Sequence, residues 1–331
     1  MLKNKIKIKI NRLVIPVFSF ILILIILFRF VEIKGFIEII TKIKWKWFLL
    51  ALIFQFISIF FSSLLKYELI ETLKEKIGLW FLIKLNTAMI FIDIIIPSQS
   101  ISSFIFLFKI LGKKGVEKGK RTILIANSFL INYIVTFTLL IVAILYSIEL
   151  KYNIIKTFIL ISISLILILF LILFLIILKI EKSKKIVLIF AKPTKIFNRI
   201  IKNFNERITD LIERYYTERK KYKINYSRLI IINFFEYFFR ILSLFFVILC
   251  LNYNLSIDKV IIVYLFASLI AFISYIKIGF FEAGLTLALL ALGINYNLSL
   301  ATTIVFRIIN FWIPLILGYI ATRKILKDVD S

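Results

Sequence analysis

Apolar runs of membrane-spanning length recur along this 331-residue chain, and no other feature narrows its fold as far. A helix needs about 20 apolar residues to cross a bilayer. Eight runs are long enough, at roughly 13–31, 47–65, 79–96, 122–147, 154–178, 229–251, 259–277 and 299–321. Apolar residues make up 62% of the chain, well above the ~45–50% of a globular domain. A soluble fold of this length cannot hide that much apolar surface. The expected class is an all-α polytopic membrane protein forming a single integral membrane domain.

Two further apolar runs are short: Pro97 to Leu111 and Gly279 to Gly293. As helices of about 15 residues they would reach only ~22 Å, against a hydrocarbon core of ~30 Å. Each follows a full-length run almost without a polar spacer, and each opens at a helix breaker. Irregular backbone at membrane depth is tolerated only where protein or a wet cavity satisfies it. The two short runs are therefore the expected walls of a shared central site.

Charge sets the orientation. The formal charge is +26, from 44 Lys and Arg against 18 Asp and Glu. In a soluble protein that excess would point to nucleic acid; here it lies between apolar runs, as the positive-inside rule requires, and suits anionic headgroups. The strongest basic blocks are the N-terminus, Lys109–Arg121, Lys179–Arg228 and the tail with Arg323, Lys324 and Lys327. All four reach the cytoplasm only if each short run counts as a crossing. The expectation is ten passes with both termini cytoplasmic in the cell membrane. Lys34–Lys46, with four lysines, falls outside in this scheme. The first apolar run reads as an uncleaved span, because no small-residue cleavage site follows Phe28.

The order of elements then repeats. Residues 13–147 and 154–321 each hold long spans and one short run at matching places, but start on opposite sides. That is the pattern of an inverted-topology repeat with interrupted helices; the alternative is a plain bundle with two irregular re-entrant segments. Between the halves, 181–228 is a basic loop with 14 Lys and Arg against 5 Asp and Glu. Phe197, Ile200, Phe204, Ile208, Leu211 and Tyr215 recur there at helical spacing. This predicts an amphipathic helix lying on the inner leaflet.

Some chemistries are excluded. The chain has no histidine, so triads, metal sites and proton relays built on histidine are out. Cys250 is the single cysteine, which removes an internal disulfide, an iron–sulfur cluster and a cysteine zinc site; it reads as packing. No Walker A, G-x-G-x-x-G or H-E-x-x-H motif occurs. Nothing in the residues calls for a cofactor. What remains is charge inside the spans, which is costly in a membrane and normally faces a cavity or a partner. Glu236 and Arg240, four apart, read as a structural ion pair. Lys84, Lys109 and Lys277 read as snorkelling to an interface. Asp93, Glu282 and Arg307 sit in or beside the interrupted elements and are the expected substrate-binding residues, with Pro97, Gly279 and Asn310. Glu282 and Arg307 are also placed to pair with each other.

Two stretches resemble a known family. One runs Gly279-Phe280-Phe281-Glu282, then Leu292-Gly293-Ile294, then Arg307, Pro314 and Gly318. The other is Ile95-Ile96-Pro97-Ser98, with Lys109, Gly112 and Gly115-Val116 after it. Together they resemble the lysylphosphatidylglycerol synthase transmembrane-region family of flippase-like membrane proteins, over about 40–320. Departures are Ser98, Gln99 and Ser100 where Gly and Arg often follow the first Pro, Asp93 where Asn is common, and Lys66 where Arg often ends the second span. They imply that the first half of the site binds something different, or binds more weakly. Ser331 follows soon after the last span, so the expectation is the translocating half without the aminoacyltransferase domain.

The resemblance implies a transporter that moves a phospholipid or a polyprenyl-linked lipid between leaflets. Arg307 would neutralise a phosphate, aided by the N–H groups of the broken helix starts. Movement would be downhill, or coupled to an ion or to the membrane potential. The expected partners are membrane lipids, anionic phospholipid foremost. The alternative is a non-transporting membrane subunit that serves a separate glycosyl- or aminoacyl-transferase. A lipid-modifying enzyme ranks third, for want of a catalytic constellation.

Overall fold

The structure is a computed structural model that describes residues 38, 41–96, 100–147, 215, 217–273 and 277–330. Helices and turns account for these residues, in the order α1 Trp45–Thr72, α2 Leu79–Ile95, α3 Ile101–Lys113, α4 Lys118–Ser147, α5 Tyr226–Cys250, α6 Ile257–Ile273, α7 Lys277–Ala291, α8 Tyr296–Arg307, a π-helical segment Ile308–Trp312, and α9 Ile313–Asp330. The expected runs 13–31 and 154–178 and the loop helix near 197–215 lie almost wholly outside the described residues.

Four stretches are long and apolar enough to cross a bilayer: Trp45–Thr72, Lys118–Val142, Tyr226–Cys250 and Tyr296–Asp328, the last running from α8 through α9. The sequence suggested eight. The runs at 79–96 and 259–277 fold instead as α2 and α6, of 17 residues each, or ~25 Å. α2 stops two residues before Pro97, because the residue preceding a proline is driven out of the helical region. The two short runs fold as the separate helices α3 and α7.

α1 and α5 form an antiparallel pair at the centre. Lys44 N–H donates to Cys250 O (2.9 Å) at one end, Ser243 Oγ donates to Ala51 O (2.8 Å), and Arg228 reaches Glu68 (2.6 Å) at the other end. Phenylalanines fill the seam: Phe54 against Phe246 (5.1 Å between ring centroids) and Phe61 against Phe239 (5.3 Å). The buried Ala51, Ser58, Ser63 and Ser243 let the backbones approach, which is how helices associate where lipid gives no hydrophobic drive. On the far side of α1, Trp45, Leu49, Ile53, Phe56 and Phe60 make an exposed apolar stripe that suits lipid.

Other contacts are also set by small residues. Gly318 of α9 faces Thr87 O and the Phe91 Cβ of α2, so close that a Cβ would stand 2.5 Å from the carbonyl oxygen. Gly284 of α7 packs on the backbone of Ala267 in α6. Asn225 and Asn295 cap α5 and α8, each accepting the N–H three residues on. The buried Cys250 is part of the core.

Six described residues have positive φ, and they fall into three pairs. Lys74 ends α1 and Asn252 ends α5. Ser100 precedes α3, and Gly279 lies in the first turn of α7. Gly115 follows α3 and Gly293 follows α7. The four helix ends share one hydrogen-bond pattern: Glu75, Val116, Tyr253 and Ile294 each donate five residues back, to Ile70, Leu111, Ile248 and Leu289. This is the Schellman termination.

Candidate functional site

A cavity of about 440 Å³ opens in the middle of the bundle, lined from α1 to α8 and the π segment. Its chemistry is unlike that of the seams around it. Gln55, Ser62 and Lys66 line it from α1, Asn86 and Asp93 from α2, Asn132 and Tyr133 from α4, Asn233, Glu236, Tyr237 and Arg240 from α5, and Arg307 from α8. Three cations and two carboxylates thus face one space inside an apolar bundle. Such groups cost several kcal/mol each to bury unless they are paired or hydrogen-bonded.

Much of the pairing is visible. Arg240 holds Glu236 at 2.7 Å, and Asn233 Nδ2 donates to the other oxygen of Glu236 at 3.0 Å. The Tyr237 hydroxyl donates to Asn132 Oδ1 (3.0 Å) and lies 2.7 Å from Thr136 Oγ1, tying α5 to α4. Asn86 Nδ2 donates to Ile59 O across α2 and α1 (3.4 Å). Buried polar atoms of Gln55, Asn233, Arg240 and Asn310 nevertheless have no hydrogen-bond partner among the described residues. Buried polar groups almost always have one. Unmet atoms converging on a cavity are what a polar ligand or water would satisfy.

The wall at α7 and α8 follows directly from its sequence. Gly279 takes φ of 90°, open only to glycine at low cost. Its N–H donates to Glu282 Oε2 at 2.9 Å, which meets one of the first-turn N–H groups that a helix leaves unpaired. The other oxygen of Glu282 pairs with Arg307 Nε at 2.5 Å. Arg307 also lies over the Phe311 ring at 3.8 Å. Just beyond, Pro314 has no N–H to offer the carbonyl of Asn310. The ladder widens there, Ile313 N–H reaching back five residues to Ile308 O. Such π turns often mark functional positions, and this one presents Asn310 and Phe311 to the cavity.

Of the residues expected to bind substrate, Asp93, Arg307 and Asn310 line the cavity. Glu282 stands behind Arg307, buried, and Gly279 is buried at the start of α7. Pro97 lies outside the described residues. Glu236 and Arg240 form the expected ion pair, but they form it on the cavity wall. Lys84 and Lys109 are exposed, as snorkelling side chains would be. Sequence reasoning missed Gln55, Asn132 and Tyr133, and noted Lys66 only as a departure from the family pattern in the first half of the site. The signal was the polar spacing within α1: Gln55, Ser62 and Lys66 recur at seven and four residues, one face of a helix.

The family model described as lysylphosphatidylglycerol synthase TM region matches residues 13–318. The chain belongs to that family. It is also similar to the UPF0104 membrane protein MJ1595 of Methanocaldococcus jannaschii, 31% identical over 155 residues. That alignment covers 44% of this chain and 46% of the relative, so the match spans under half of the relative's length. The geometry gives the transmembrane-region residues physical roles. Gly279-x-x-Glu282 starts α7, Gly293-Ile294 ends it, Arg307 locks it to α8, and Pro314 opens the π turn.

Proposed function

We propose that this protein moves a lipid with a polar, phosphate-bearing headgroup, a phospholipid or a polyprenyl-linked lipid, between the leaflets. The observation that carries this reading is the charged cavity between two helices too short to span. Its volume suits a headgroup, since ligand pockets run from ~300 to ~1,000 Å³, and leaves the acyl chains in the bilayer. Placing six ionisable side chains in such a bundle is expensive, and a passing headgroup gives them a use.

The repeat of the fold supports the same reading. Lys74 to Asn252 and Gly115 to Gly293 are equal steps of 178 residues (252 − 74 and 293 − 115). The same step carries Gln55 to Asn233, Ile59 to Tyr237, Ser62 to Arg240, Phe129 to Arg307, Asn132 to Asn310 and Tyr133 to Phe311. All twelve residues line the cavity. α1 and its counterpart α5 run antiparallel, as an inverted repeat requires. An inverted repeat around a central polar site is the layout of transporters that alternate access by rocking one half against the other.

Reconstitution tests this. The purified chain in liposomes should move labelled phosphatidylglycerol between leaflets faster than empty liposomes do, and both Glu282→Gln and Arg307→Ala should slow it. Movement indifferent to both substitutions would remove the α7–α8 wall from the site. No movement of anionic or zwitterionic lipid by folded protein would favour the second reading, a membrane subunit that assists a separate transferase.

A further inference from the structure

The three cations of the cavity are not equivalent. Arg240 is held by Glu236, and Arg307 by Glu282. Lys66 is only 6% exposed, and its ammonium group contacts Ser62 O at 3.1 Å and Ser62 Oγ at 3.5 Å, with no carboxylate in direct contact among the described residues. Glu236 and Asp93 are near enough for their charges to act on it, but both Glu236 oxygens are engaged by Arg240 and Asn233. A buried ammonium that keeps a donor toward a cavity is suited to an incoming anion.

On the repeat proposed above, the fold does not require this charge. The 178-residue step carries Lys66 to Leu244, which is fully buried in the equivalent place on α5. An apolar side chain packs there without difficulty. We infer that Lys66 is a specificity residue that binds the phosphate anion of the headgroup, while Arg307 is a scaffold cation whose charge Glu282 already meets. This rests on the proposal that the cavity takes a headgroup, and it moves the anion contact from α8 to α1.

The test is calorimetric titration of the full chain in dodecyl maltoside with dihexanoylphosphatidylglycerol, inorganic phosphate and uncharged dihexanoylglycerol. The parent should bind the phosphatidylglycerol and ignore the uncharged glycerolipid. Lys66→Leu should weaken binding at least about tenfold, the scale of one charge-assisted hydrogen bond. Lys66→Arg should restore it to within about threefold. Lys66→Gln runs beside them, so that misfolding of one variant does not decide the matter. Competition by inorganic phosphate would show that the anion alone is recognised, and lack of competition that the lipid headgroup is needed; both support the assignment. Binding by folded Lys66→Leu and Lys66→Gln within about twofold of the parent would overturn it, as would a parent that binds neither phosphate probe. Translocation in liposomes separates the two claims. Equal transport by the parent and Lys66→Leu sinks the role of Lys66 and leaves the transporter standing. Binding that depends on Lys66, in a parent that moves no lipid, keeps the anion site and sinks the transporter.

Discussion

The two short helices are fastened to the helices that follow them by opposite chemistry, at positions 178 residues apart. In the first half Phe104 of α3 packs on Phe129 of α4, with ring centroids 4.2 Å apart. A step of 178 residues carries that pair onto Glu282 of α7 and Arg307 of α8, the 2.5 Å ion pair. One scaffold thus accepts either an aromatic contact or a buried salt bridge in the same place. Both fasten the helices, so fastening alone does not explain the charges. The ionic version costs more to bury and punishes the loss of one partner far more, yet it puts a guanidinium on the cavity wall. The first half spends its buried charge elsewhere, on Lys66 and Asp93.

The sharpest way to break this comparison is to remove one partner from each tie. Glu282→Ala leaves Arg307 buried with its charge unmet and removes the acceptor of the Gly279 N–H. It should destabilise the protein by about 3–5 kcal/mol. Phe104→Ala removes a half-buried ring contact and should cost about 1–2 kcal/mol. Thermal unfolding of both variants in the same detergent measures the gap. Equal costs would mean that Glu282 and Arg307 are not the fastening of α7.

A double replacement comes next in size. Glu282→Phe with Arg307→Phe rebuilds the first-half tie in the second half. Replacing a buried pair with packed apolar groups is often close to neutral, so the double variant should unfold within about 2 kcal/mol of the parent, well above Glu282→Ala. Lipid translocation should fall nonetheless, since two phenylalanines replace the polar groups at the α7–α8 wall and change the shape of the cavity. A double variant less stable than Glu282→Ala would show that the two halves are not interchangeable at this position.

What could be read in advance follows the same division. The breaks at Pro97 and Gly279, the two short helices and the proximity of Glu282 to Arg307 are local, carried by residues with fixed conformational rules. The chain's membership of its family was legible in those same residues. The cavity membership of Gln55 and Lys66 on α1 and of Asn132 on α4 was harder to read, because a few polar residues in a long apolar helix mark a face without saying which neighbour that face meets. The polar face of α1 is narrow, and the stacked phenylalanines Phe54 and Phe61 that meet Phe246 and Phe239 of α5 are what turn it toward the cavity. The endings of α1 and α5 were hidden for another reason: Lys74 and Asn252 hold a conformation that usually announces itself with glycine.

Glycine itself gives a smaller test, at the ends of the short helices. Gly115 and Gly293 have φ of 84° and 82°, and a Cβ added at either meets nothing within 4 Å. Substitution by Ala therefore costs only backbone strain, about 1 kcal/mol. The two variants should shift thermal unfolding by the same amount. A marked difference would mean that α3 and α7 do not end alike under load.

The smallest effect has the opposite sign. Lys74 and Asn252 end α1 and α5 with φ of 57° and 62°. A left-handed conformation costs an ordinary side chain about 1–2 kcal/mol, and glycine gives back part of that gain through the entropy of the unfolded chain, about 0.5–1 kcal/mol. Lys74→Gly should then stabilise the protein by up to about 1 kcal/mol. Asn252→Gly should gain less, because asparagine tolerates this region better than most residues and because Asn252 Nδ2 also donates to Lys42 O at 2.9 Å. Thermal unfolding should rank Lys74→Gly above the parent and Asn252→Gly near or below it. The reverse order would mean that the strain at the end of α1 is met by contacts stronger than the glycine gain, and that the matching φ values conceal two different terminations.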